Sequence, residues 1–149
     1  MKKFKFKLDS LLRVRSFQED QQKLAVVAAR QEVITCEERI DEIRLQARKA
    51  AETLETSLVE GIDAMRLKWS NDHLSGLSAL RVLEEGRHRE LMKILICKQQ
   101  ELTKKTIARK VVENLKSRKK EDYYQEAIKA EQKEMDDMVI LRSARKAMG

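Results

Sequence analysis

The chain has 149 residues, no proline, four glycines, 38% charged residues and 4% aromatics. That length holds at most one ordinary domain, and so few large apolar and loop-forming residues exclude a thick globular core. The formal net charge of +7 calls for an anionic partner, whether nucleic acid, acidic lipid or an acidic protein surface. Proline breaks helices and glycine weakens them. Their scarcity beside abundant Ala, Glu, Lys, Leu, Arg and Gln predicts an all-α chain whose apolar residues line a coiled-coil seam.

The N-terminal stretch reads KKFKFKLDSLLRVR. Phe4, Phe6 and Leu8 alternate with lysines as in a strand, then Leu8, Leu11 and Leu12 take helical spacing. No sheet exists for a strand to join, so the phenylalanines are read as a leading tail passing into the first helix at about Leu8. Apolar side chains among lysines suit a protein partner with an acidic groove better than a membrane surface, because the apolar stretch is short. No apolar run follows to make a signal peptide, and none reaches the length of a membrane span.

Along the first helix, Val26, Ala29, Val33, Cys36, Ile40, Ile43 and Ala47 step by three and four, a heptad seam. From there the apolar set Ala47, Ala51, Leu54, Leu58, Ile62, Met65 and Trp69 reads as an 11-residue repeat, which relaxes a left-handed supercoil. Two places suit a bend. At Gly61-Ile62-Asp63 the glycine can adopt the left-handed conformation and the aspartate can cap the next helix. Polar cap formers also cluster at Ser70-Asn71-Asp72-His73, ahead of Gly76. The unbroken repeat and charge pairing favour the later bend, and the completeness of the turn chemistry favours the earlier. The expectation adopted is an antiparallel coiled-coil hairpin with helix 1 over about 4–60, a turn at about 61–63 and helix 2 over about 64–146. Its second helix overhangs the first.

The second helix carries Leu74, Leu77, Leu80, Leu83, Leu91, Leu95, Leu102, Val112 and Leu115, then Ile128, Met135, Met138 and Leu141. Its charge is blocked: 98–120 nets +7 and 121–138 nets −5, while residues 1–15 net +5. Such blocks suit docking surfaces, although a solvated helix face explains any one of them.

No motif carries chemistry. There is no phosphate-binding glycine loop, no nucleophile elbow and no metal-ligand spacing, and the two cysteines stand alone. A thin coiled coil shelters no concave site, so no enzyme activity and no cofactor are expected. The basic segment KKTIARKVVENLKSRKK could neutralise phosphates, but no nucleic-acid module accompanies it, and no nucleic-acid partner is expected.

The pattern Phe4-x-Phe6-x-Leu8-Asp9-x-Leu11-Leu12-x-x-Arg15, the central Gly61-Ile62 and the C-terminal Glu134-Met135-Asp136-Asp137-Met138 with Arg142 resemble the flagellar export protein FliJ family over the whole length. The resemblance implies a cytoplasmic, two-helix antiparallel coiled coil similar to the central stalk of rotary ATPases, peripherally associated with the inner-membrane export apparatus. It implies that the end carrying both termini enters the flagellar export ATPase hexamer and promotes its assembly and activity. It also implies contact with the export-gate membrane protein, handling of export chaperones, and a monomeric state in isolation. On that reading Phe4, Phe6, Leu8, Leu11, Leu12, Arg15, Met135, Asp136, Asp137, Met138 and Arg142 face the ATPase ring. Ile43, Ala50, His73, Leu77 and Leu80 face the gate. An injectisome stalk protein or a generic coiled-coil scaffold is the alternative.

Overall fold

The computed structural model describes residues 3–149, so Met1 and Lys2, the latter part of the basic N-terminal block, lie outside the described residues. Two helices account for nearly all of the rest: α1 (Asp9–Glu60) and α2 (Ala64–Ala147). They pack against each other as an all-α hairpin, with no strand among the described residues.

The first helix starts later than residue 4. Residues 3–6 are non-helical and Lys7–Leu8 form a turn. The Asp9 amide donates to the Phe6 carbonyl at 3.2 Å, and the Leu12 amide to the Leu8 carbonyl at 3.0 Å, which opens the helical ladder. Contacts with α2 account for the delay: Phe4 lies against Tyr123, and Phe6 under Lys116. The acidic Asp9 in the first turn also complements the positive end of the helix dipole.

The chain bends at Gly61–Asp63, and residues 70–76 are uninterrupted helix. Gly61 has φ +95°, a conformation that costs any residue with a Cβ. Asp63 then caps α2: its Oδ1 accepts from the Met65 amide at 2.7 Å. Its carbonyl accepts from the Leu67 amide at 3.0 Å. The Asp63 side chain thereby satisfies one of the orphan donors at the start of α2.

The contacts divide the chain into two compact units. One is Gln21–Thr103, containing the bend. Its core joins Val26, Ala29, Val33, Cys36 and Ile40 of α1 to Leu91 and Leu95 of α2, with Met92 and Leu102 alongside. The pairing is antiparallel: Gln22 meets Lys98, whereas Cys36, further along α1, meets Glu84. The other unit joins the segment through Asp20 to Lys104–Gly149. It too is antiparallel, with Glu19 on Arg109 and Asp9 on Lys116.

The seam departs from the expected one in phase. In α1 the residues turned inward after Ile43 are Ala47, Ala50, Leu54 and Ser57, which continue the three-four heptad. The 11-residue repeat is therefore not followed: Ala51, Leu58, Met65 and Trp69 are exposed. In α2 the inward set is Leu67, Ser70, Leu74, Leu77, Glu84, His88, Leu91 and Leu95. Leu80 and Leu83 lie outside it. Each three-residue step rotates a helix position by about −60°, so leucines spaced by three wind off the seam within two steps. Leu115, Ile128, Met135, Met138 and Leu141 are likewise exposed. No described side chain falls below 2% exposure, so the core is a seam one layer deep.

Candidate interaction surfaces

In the unit containing both termini, the N-terminal arm folds onto α2. The Phe4 ring lies 5.7 Å from that of Tyr123, tilted by 51°. Tyr123 in turn meets Tyr124 edge-on at 5.8 Å. Lys116 holds the arm at its helical end: its Nζ sits 5.9 Å over the Phe6 ring and donates to Asp9 Oδ1 at 2.6 Å. This hydrogen bond, with the charges of Lys116 and Arg13, holds the Asp9 carboxyl below its usual range despite partial desolvation. A bend at Gly61 places the basic arm opposite a basic stretch of α2. Asp9 and the two phenylalanines supply the contacts that make this pairing tolerable. The arm and α2 leave an open groove lined by Phe4, Phe6, Leu8, Leu115 and Tyr123, with Lys5, Lys7, Lys119, Asp122 and Glu126 at its rim.

Among the residues assigned to the ATPase-facing end, Phe4, Phe6, Leu12 and Arg15 are half-buried, and Leu8 and Leu11 are exposed. Met135, Asp136, Asp137, Met138 and Arg142 are all exposed. The two groups share a unit, and among the described residues no hydrogen bond, ion pair or ring contact joins them. The arm meets Leu115–Glu126, and Met135 lies nine residues further along, roughly 13 Å of helix. From Ile128 onward every residue of α2 is exposed, Val139, Ile140 and Leu141 included.

Among the residues assigned to the gate, Ile43 (4% exposed) and Leu77 (8%) belong to the buried seam. Ala50 is half-buried, and Leu80 and His73 are exposed. The His73 ring lies nearly parallel to that of Trp69, with centroids 6.0 Å apart.

Three buried polar residues carry interactions that the apolar pattern did not reveal. Glu19 accepts from Arg109 Nε, while Arg109 Nη1 donates to Glu113 at 2.5 Å. The Glu19 hydrogen bond in particular raises the Arg109 pKa. Gln22 Nε2 donates to the Lys98 carbonyl at 3.0 Å and to Glu101 at 3.2 Å. Glu84 accepts the Cys36 thiol through its backbone carbonyl at 3.5 Å, and Arg39 pairs with its carboxylate at 3.5 Å. Burial, reinforced by the Glu84 charge, pushes the Cys36 thiol up. Heptad phase was the signal that locates these residues: stepping back from Val26 by four and three gives Gln22 and Glu19. His88 also turns half inward and contacts Glu37 at 2.9 Å.

Neither the curated proteins nor the solved structures contain a significant match to the chain. The family model described as flagellar FliJ protein matches residues 4–148, from the first phenylalanine of the arm to the end of α2. The match spans the arm, both helices and the bend between them, and the chain belongs to the flagellar FliJ family.

Proposed function

We propose that this member of a non-enzymatic family associated with flagellar export works as the stalk of the export ATPase, with the unit carrying both termini as its ring-facing part. The observation that carries this reading is the last stretch of α2. Ile128, Met135, Met138, Val139, Ile140 and Leu141 are exposed on a helix that the rest of its unit leaves uncovered. Apolar side chains in that position gain free energy when a partner covers them. The basic arm, with Lys3, Lys5 and Lys7 exposed, steers the approach to an acidic lumen. A surface of scattered single anchors suits a ring that must hold a stalk without locking one angle.

On this reading His73 and Leu80 present the gate-facing surface, and Ile43, Ala50 and Leu77 support it from the seam. Export chaperones are the remaining partners. The peripheral association of the protein with the inner membrane then runs through the gate. No helix among the described residues is long and apolar enough to cross a membrane.

The test is reconstitution with the purified export ATPase. Adding the chain is expected to raise both hexamer formation and ATP hydrolysis. Reversing Lys3, Lys5 and Lys7 to Glu is expected to weaken that effect more than reversing the exposed mid-helix charges Lys49 and Arg48. Unchanged assembly and hydrolysis, under conditions where the two proteins co-purify, refute the reading. Light scattering separates it from a generic scaffold: the stalk is a monomer alone, and a concentration-independent dimer favours the scaffold.

A further inference from the structure

The first third of α2 has a second face that its partner helix does not use. Met65, Trp69, Gly76, Ala79, Leu83 and Gly86 fall at alternating four- and three-residue steps once Asp72 is counted between Trp69 and Gly76. This is the same periodicity as the seam, displaced to the opposite side of the helix. Met65 is 81% exposed, Trp69 71% and Leu83 69%. Three large apolar side chains so open to water, in register on one face of one helix, form a stripe rather than scattered singles.

The small residues within the stripe add an independent point. A glycine inside a helix weakens it relative to alanine. At Gly76 no atom lies within 4 Å of where a Cβ would sit, and at Gly86 the nearest is the mobile end of Arg89 at 3.7 Å. Neither glycine is required by packing within the chain. Around Gly86 the surface is hollowed into a shallow groove between Val82, Leu83, Arg87 and Glu90. Helix surfaces that alternate large and small residues receive the ridges of another helix.

Charge identifies what that helix carries. The positions flanking the stripe hold Arg66 and Arg87 on one side and Lys68 and Arg89 on the other, with no acidic residue in either row. None of the four forms an ion pair among the described residues, although acidic partners are engaged elsewhere on the hairpin. An anionic lipid surface would also meet basic flanks. Asp72 within the stripe opposes burial in lipid, and Gly76 and Gly86 give an acyl phase little to cover but leave room for a facing backbone.

We propose that the α2 face running from Met65 to Gly86 is a docking surface for an acidic amphipathic helix of a partner protein, seated over Gly76 and Gly86 and anchored by Trp69. The surface lies on the opposite side of α2 from the seam that holds Leu77; its Arg66–Arg87 row also holds His73 and Leu80, and the inference rests on its own shape and charge whether or not the stalk reading holds.

Trp69 is the only tryptophan of the chain, so its emission reports this surface without a label. The probe is a stapled synthetic helix with leucine at its seam positions and glutamate at its flanks. Controls are its lysine-flanked counterpart, and vesicles of phosphatidylcholine with phosphatidylglycerol. The acidic helix is expected to shift Trp69 emission to the blue saturably and to bind at least tenfold more tightly than the basic one. Gly76→Leu fills the seat with a better helix former and is expected to weaken binding at least tenfold without loss of helicity. Replacing Arg66, Lys68, Arg87 and Arg89 together by Glu is expected to reverse the preference between the two helices. Equal binding of both helices, or undiminished affinity in Gly76→Leu, overturns the proposal. A blue shift with vesicles but not with the acidic helix assigns the face to lipid. A shift that grows with protein concentration alone assigns it to a second copy. Either result also overturns the proposal.

Discussion

The same substitution at two glycines is expected to act in opposite directions, because only one of the two needs to be glycine. Gly61 has φ +95°, where an alanine Cβ crowds the following carbonyl and costs about 1–2 kcal/mol. Its surroundings are empty to 4 Å, so the penalty is purely conformational and the neighbours cannot relieve it by moving. Gly76 lies within α2 with ordinary helical backbone, and its Cβ position is equally open. There alanine gains about 0.5–1 kcal/mol, chiefly by reducing the freedom of the unfolded chain. The two variants should therefore differ from each other by roughly 1.5–3 kcal/mol, one on either side of the parent. With a urea dependence of about 1–3 kcal/mol per molar, their midpoints separate by about 0.5–3 M in melts followed by circular dichroism. Gly61→Asn, which tolerates positive φ better than alanine, should recover part of the loss. Equal midpoints, or a Gly61→Ala variant more stable than the parent, would refute the left-handed turn as the source of the bend.

Burial ranks the apolar positions. Ile40→Ala, in the core of the hairpin unit, should cost about 2–4 kcal/mol, whereas Met135→Ala on the exposed end of α2 should stay within about 0.5 kcal/mol. Chemical denaturation of both variants checks this. Asp9 gives a pH prediction. Its folded-state pKa is lowered, chiefly by the Lys116 hydrogen bond. The stability it contributes is therefore present above the unfolded carboxylate value of about 3.9 and is lost as pH falls through the folded value. Asp9→Asn and the parent should differ at neutral pH and converge in acid, with the Asp9 carboxyl resonance titrating below a model aspartate. Cys97 is exposed and Cys36 buried, with its thiol pKa raised, so iodoacetamide should modify Cys97 promptly and Cys36 only as the hairpin opens. Equal rates at the two thiols would contradict the seam assignment.

Much of the fold was legible because helix punctuation is local chemistry. Gly61, Ile62 and Asp63 announce a bend through conformations available to few other residues, and the structure uses Gly61 and Asp63 as that chemistry requires. For α1 two starts were readable, about residue 4 and about Leu8, and the structure takes the later, at Asp9. Nothing local forbids helix at Phe4, and the arm leaves the helical path because Phe4 and Phe6 find Tyr123 and Lys116 on the other helix. Those partners can be named only once the bend is known, since moving it from 61 to 72 shifts every cross-helix partner. The leucines at 74, 77, 80 and 83 misled in another way. Leucine content suggested a seam, but their spacing turns half of them away from it, and Glu84 occupies the place expected of Leu83.

That exchange bears on how the hairpin keeps a single register. A seam built of repeating apolar positions is nearly indifferent to a slip of one heptad, because Val, Ala, Ile and Leu replace one another at small cost. The polar residues in the seam are not indifferent. A seven-residue slip would carry the Glu84 carboxylate away from Cys36 and Arg39, and Gln22 away from the Glu101 carboxylate, leaving buried donors and acceptors unpaired. Each unpaired buried group costs about 1–3 kcal/mol, and more when charged. The Glu19–Arg109 pair imposes the same condition independently in the other unit. Gly61 sets where the chain turns back, and these polar residues penalise registers that the apolar seam alone would tolerate.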